Sequence, residues 1–194
     1  SVAANNQLSY LVVAGGGGGA STNGNGQGGG GAGGFREDKS PVTPYTASPL
    51  DGFSTPANRV TVTATGFPIT VGAGGNGSPP SGPEGTLNTA GSNSQFSTVI
   101  SAGGGKGGNY TRPTASQPGT SGGSGGGGGS HNVPPYSPAA NPGGVGNTPP
   151  VSPSQGSNGG AGSPNSRVPS EQATDTHKIG TSCLSMRPPI CLDE

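Results

Sequence analysis

The sequence predicts an irregular fold with little regular secondary structure. Its core would be a bundle, or sandwich, of polyglycine-II helices nucleated by a few short β-strands, with long Pro-rich loops and essentially no α-helix. Three observations predict it. Of 194 residues, 43 are Gly and 21 are Pro, the two poorest helix formers. Leu, Ile, Val and Phe fill only about an eighth of the chain, too few for the apolar core on which a domain of this length normally closes. The glycines fall in runs, among them 15–19, 28–31, 103–105, 125–129 and 143–144, separated by turns rich in Asn, Ser and Pro. This composition is at odds with an α/β enzyme, a helix bundle or a TIM barrel. No apolar run approaches the ~20 residues of a membrane span.

A glycine run has two states open to it. One is a flexible linker; the other is an extended left-handed helix of three residues per turn, rising ~3.1 Å per residue. That helix makes no internal hydrogen bonds, so its N–H and C=O groups must pair with neighbours. Without side chains, neighbours can approach closely enough to do so. Ordering glycine is entropically costly, so an isolated run stays disordered. A bundle needs several runs of matching length, turns between them and something apolar to nucleate it, and this chain supplies all three. Collagen would require Gly at every third position, a rule that 15–19 and 125–129 break.

Residues 1–14 form an entry segment, in which 8–14 (Leu-Ser-Tyr-Leu-Val-Val-Ala) read as a strand buried on both faces. The glycine-rich domain spans 15–162. Its first run ends at Phe35-Arg36-Glu37-Asp38-Lys39, the densest charge cluster. Four prolines make 40–58 an irregular loop. Residues 59–65 alternate strictly, with Val60, Val62 and Ala64 on one side and Thr61, Thr63 and Thr65 on the other, which reads as a half-buried strand. Ile69-Thr70-Val71 is a second short strand, pairing back or continuing the sheet. From 102 to 162, Gly runs alternate with Pro-rich loops. Composition shifts at 163–194, where charge returns beside Val168, Ile179, Leu184, Met186, Ile190 and Leu192. This reads as a C-terminal tail or docking element suited to a neighbouring chain.

Eight basic and eight acidic residues cancel, leaving no electrostatic footprint for nucleic acid. Residues 1–6 lack the basic start and apolar centre of a signal peptide. The absent initiator Met leaves a trimmed start and a fragment equally open. Gly103-Gly104-Gly105-Lys106 falls short of a phosphate loop, because Ile100 stands where its first Gly should be and Gly107 where Ser or Thr should be. His131 and His177 lack partners at ligand spacing. Glu37-Asp38 and Asp193-Glu194 are adjacent pairs that diverge, and read as solvated turns or salt-bridge partners. Cys183 and Cys191 are open to a small disulfide loop or to two free thiols, and are too few for zinc. The reading is of a non-enzymatic protein with no cofactor and no metal.

Tyr10-Leu11-Val12-Val13-Ala14 followed by 15–19 resembles the start of the glycine-rich domain of bacteriophage tail-fibre and receptor-binding adhesin proteins. So do, in order, 28–34 with Phe35-Arg36, then Ile69-Thr70-Val71 with 72–75, then Asn93-Ser94-Gln95-Phe96 leading to 100–108. The resemblance covers roughly 8–129 and implies a polyglycine sandwich that displays variable loops at one end for host recognition. Here those loops would be 39–58, 78–91, 109–117 and 131–141. The receptor-contact candidates are Tyr45, Phe53, Tyr110, Arg112, His131 and Tyr136, each of which could instead pin its loop to the bundle.

The resemblance further implies a location in the virion and two classes of partner. The first is other virion proteins, in a trimer or a larger assembly. The second is a host cell-surface glycan or outer-membrane protein. Two rival functions stand beside it. One is a virion structural or decoration protein without a receptor role. The other is an ice-binding protein, since flat polyglycine bundles can order water, although long Pro-rich loops should break up a flat face.

Overall fold

The computed structural model describes residues 6–21, 26–79, 88–111, 115–131 and 139–162. Among them the only helix is a 3-10 turn at Pro56–Asn58. The strands are short and all named pairs are antiparallel. β1 (Tyr10–Val13) pairs with β2 (Phe35–Asp38), and β3 (Ile69–Thr70), β4 (Ser94–Phe96) and β5 (Val99–Ser101) form a three-stranded sheet in that order. β6 (Tyr110–Thr111) pairs with β7 (Ala115–Ser116), and β8 (Ser130–His131) with β9 (Ala139–Ala140).

Between the strands run nine glycine-rich rods. Rods 1 to 9 occupy 14–20, 28–34, 72–78, 88–93, 102–109, 117–122, 123–129, 141–146 and 155–162. Their hydrogen bonds step by three residues. Ala14, Gly17 and Ala20 of rod 1 donate to Gly34, Gly31 and Gly28 of rod 2. Gly15 and Gly18 donate to Ser92 and Thr89 of rod 4, while Gly16 and Gly19 accept from Gly75 and Ser78 of rod 3. Each third residue addresses a different neighbour, as a three-fold helix requires. No glycine of 15–19, 103–105 or 125–129 has a φ between +20° and +160°, so their backbone is open to any L-residue. Glycine is needed here for space rather than for φ. A Cβ on Gly104 would sit 2.0 Å from Gly31 O, and one on Gly103 2.0 Å from Gly91 O.

The bonding partners set three layers: rods 3, 1 and 2; rods 4, 5, 7 and 9; and rods 6 and 8. Rods 5 and 7 lie at the centre, and apart from a partly exposed Lys106 they are buried from end to end. Rod 5 shows how the pairing closes. Gly104, Gly105, Gly107 and Gly108 donate to rods 1 and 7. Ala102, Gly103 and Lys106 donate to the side chains of Gln155, Asn93 and Thr120. Polar side chains from other rods thus supplement the backbone pairing. The interior is thus made of peptide groups, each of which would be costly if left unpaired.

The apolar core proper is small: Val12, Val60 and Val99 are buried, with Leu8, Tyr10, Phe67 and Phe96 packed on them. The rings of Tyr10 and Phe67 lie 5.7 and 6.0 Å from that of Phe96. This cluster sits at one end of the bundle, against β1, β4 and β5. Three expectations are corrected there. The 8–14 strand is not buried on both faces, since Leu11 and Val13 are exposed on a two-stranded sheet. Residues 59–65 form no strand beyond one bridge, Gln7 with Thr61. Glu37 and Asp38 are buried within β2, because the 39–58 loop folds over them.

Candidate recognition end of the bundle

Successive rods reverse direction, so their connections sort to two ends. The base carries β1 to β5, the 39–58 loop and the short turns 122–124 and 146–155. At the opposite end stand the rod ends that bound the connections 20–28, 78–88, 109–117 and 130–141, and the end of rod 9 at 162. Of the loop candidates 78–91, 109–117 and 131–141, residues 80–87, 112–114 and 132–138 lie outside the described residues, and the rod ends that bound them are at this end. The fourth, 39–58, lies at the base.

This division separates the site residues named above. Tyr110 begins β6, opposite Ser116, and His131 ends β8, opposite Ala139; the two hairpins pack together through β7 and β8. Arg112, Tyr136, Cys183, Cys191 and the whole 163–194 tail lie outside the described residues. Tyr45 and Phe53 stand at the base, Tyr45 exposed and Phe53 half-buried. The Arg59 guanidinium covers the Phe53 ring at 4.3 Å, and Arg59 Nε donates to Phe53 O at 2.9 Å. Lys39 Nζ stands 5.5 Å over the Tyr45 ring. Burial, and then the Glu37 carboxylate, push the Tyr45 phenol upward.

Two residues that the sequence reading did not single out for this tie the rods together at the end opposite the base. Asn88 and Asn109 are almost wholly buried. Asn109 Nδ2 donates to Asn88 Oδ1 at 2.5 Å, and Asn88 Nδ2 donates to Gly107 O at 2.7 Å and Gly18 O at 3.2 Å. One amide pair thereby ties together the starts of the 20–28 and 109–117 connections and the end of 78–88. The available signal was position: each Asn stands at the end of a rod.

Chemistry elsewhere is occupied by structure. Gly103, Gly104 and Gly105 spend their N–H groups on Asn93 Oδ1, Gly15 O and Ser124 O, leaving none to cradle a phosphate. At the base, Arg36 Nη2 donates to Asn58 Oδ1 at 2.5 Å, and Asn58 Nδ2 donates to Ser152 O at 2.8 Å. Tyr10 Oη donates to Asn58 O. Burial, and then the nearby Asp38 charge, push the Tyr10 phenol up to about 12. Asp38 is 1 % exposed and its Oδ2 has no hydrogen-bond partner. Burial first, and Asp51 second, hold its carboxyl above the usual range, against a smaller pull from Arg59. Among the described residues no three His, Cys, Asp or Glu converge as a metal site, and no helix is long and apolar enough to cross a membrane.

The glycine-rich domain family matches residues 1–183. The chain belongs to that family. No curated protein and no solved structure matches it. The family's description names no ligand or partner.

Proposed function

We propose that this glycine-rich domain is a non-enzymatic bacteriophage virion module of the tail-fibre or receptor-binding kind, which presents host-recognition loops on a polyglycine scaffold. One observation carries the reading. The rod ends that bound the connections 78–88, 109–117 and 130–141 stand together at a single end of a bundle held by backbone pairing. A run of glycine has no side chain with which to discriminate, so specificity belongs to those loops. Tyr110, Arg112, His131 and Tyr136 offer aromatic and cationic groups of the kind that bind at low entropic cost. The partner is then a host glycan or an outer-membrane protein, and the base faces the rest of the virion. Purified chain should compete with phage for adsorption, and replacing Tyr110 and Arg112 together with Ala should weaken that competition at unchanged melting temperature. Incorporation into particles without competition would favour a decoration protein instead.

A specific observation also favours the ice-binding reading. The connections leave the described rods at their ends. On the layer of rods 3, 1 and 2, Cβ atoms placed on Gly16, Gly19, Gly74 and Gly77 would meet nothing closer than 3.6 Å. Those outward positions carry no side chain. Thermal hysteresis in solutions of the purified chain tests it.

A further inference from the structure

Two Asn-Gly pairs lie wholly among the described residues, Asn76-Gly77 in rod 3 and Asn158-Gly159 in rod 9. Asn23 and Asn25, which begin the other two, lie outside them. Asn76 and Asn158 are both exposed, so exposure does not separate them. Hydrogen bonding does. Asn158 Oδ1 accepts from Gly146 N–H at 2.8 Å, and Gly159 N–H donates to Gly144 O at 2.9 Å. Among the described residues the Asn76 side-chain amide has no hydrogen-bond partner, and neither has the Gly77 N–H. A Cβ on Gly159 would sit 2.1 Å from Gly126 O, whereas one on Gly77 would meet nothing closer than Gly19 O at 3.7 Å. The Gly77 nitrogen therefore has room around it, no bond to give up and an amide carbon on the residue before it.

We propose that Asn76 is a site of spontaneous deamidation, and that the isoaspartate formed there unfastens the end of rod 3. Asparagine is thermolabile, and a glycine after it leaves the attacking nitrogen unshielded, having no Cβ. The Gly77 nitrogen bonds to Asn76 Cγ, the Cγ–Nδ2 bond breaks, and ammonia leaves carrying the Gly77 proton. Water then opens the succinimide at either carbonyl, giving aspartate or isoaspartate. Thr89 is the brake. Its Oγ1 accepts from Asn76 N–H at 2.9 Å and its N–H donates to Asn76 O at 3.0 Å, pinning the residue in the rod against the rotation that the attack requires. Rod 3 is an outer rod, so these bonds open by local fluctuation. Isoaspartate carries one extra main-chain carbon. Gly75 N–H and Ser78 N–H reach Gly16 O and Gly19 O by a step of three residues that spans position 76, and that carbon breaks the step. Ser78 then parts from rod 1 at the rod end that bounds the connection 78–88.

The test is peptide mapping by mass spectrometry of the full chain, aged at mildly alkaline pH. Asn76 should convert to aspartate and isoaspartate, with Asn158 still intact when half of Asn76 has gone. In urea, where the fold is lost, the two should react alike, because each precedes Gly. Thr89→Val should speed conversion at 76. Gly77→Ala, which the open space around Gly77 admits, should suppress it at unchanged melting temperature. Amide exchange at Ser78 should quicken in the aged chain. An Asn76 that matches or outlasts Asn158 in the folded chain overturns the proposal, as does a difference that persists in urea. A Ser78 amide that stays as protected after conversion as before overturns the unfastening.

Discussion

At the scale of single residues, glycine acts through the absence of its Cβ, and the effect depends on which third of the helix the residue occupies. Gly104 faces rod 2 and Gly16 faces outward: their added Cβ atoms would meet Gly31 O at 2.0 and 3.6 Å. Gly104→Ala should therefore push rods 5 and 2 apart and cost several kcal/mol or prevent folding, on the order of the largest single-site effects. Gly16→Ala should be neutral, or stabilising by about 0.5 kcal/mol, through lost unfolded-state entropy. Urea denaturation of the two variants checks the contrast. Asp38 makes the second prediction at this scale. Because its folded-state pKa is raised, its neutral form stabilises the fold at low pH, and that stability is lost as pH rises through the raised value. Asp38→Asn should therefore stabilise the protein at neutral pH, by on the order of 1 kcal/mol for an unpartnered buried acceptor. The advantage should vanish in acid. Equal melting temperatures at neutral pH would show that Asp38 has a partner in solution.

At the scale of elements, a rod is legible only through its third residue. In rod 6 the outward positions are Pro118 and Ser121, and in rod 8 Pro142 and Val145, all exposed. Bulk and proline are admitted where no neighbour approaches. Polar side chains add to the backbone pairing, as Asn88 and Asn109 do at the end opposite the base. Asn88→Ala would strip Asn109 Nδ2 and Gly107 O of partners, and should cost about 1–3 kcal/mol. Backbone amide exchange should quicken in rods 4 and 5 near the loops, while β1 and β2 at the base stay protected. Uniform protection would show that this amide pair does not tie the rods together there. The strands illustrate the opposite case. Alternation at 59–65 promised a half-buried strand, yet the fold supplies pairing for only part of one edge.

At the scale of the whole molecule, the core is mostly peptide and only slightly hydrocarbon. Exposing apolar surface raises the heat capacity on unfolding and exposing polar surface lowers it. Rods 5 and 7 bury chiefly amides, and the buried apolar cluster centres on three valines. The heat-capacity change should therefore fall well below the usual ~12–15 cal/mol/K per residue, giving a flat stability curve. Differential scanning calorimetry at several pH values measures it; an ordinary value would mean that the bundle is not the main thing melting.

What the sequence by itself determined was the class of fold. Glycine content barred helices, scarcity of large apolar residues barred an ordinary core, and runs of similar length with polar turns permitted the bundle. Each of these follows from local chemistry, the presence or absence of a Cβ or an N–H. Only the tertiary structure decided which rods are neighbours, since rod 1 pairs with rods 2, 3, 4 and 5 across long separations in the chain. It therefore also decided which loops share an end. Tyr45 and Phe53 looked equivalent to Tyr110 and His131 as loop residues, but the alternating rod directions send them to opposite ends. Glu37 and Asp38 read as solvated because charges usually are; the 39–58 loop that covers them is a non-local choice. A three-fold helix offers hydrogen bonds on all sides with no side chain to select among them, so partner choice passes to the connections and to the assembled lattice.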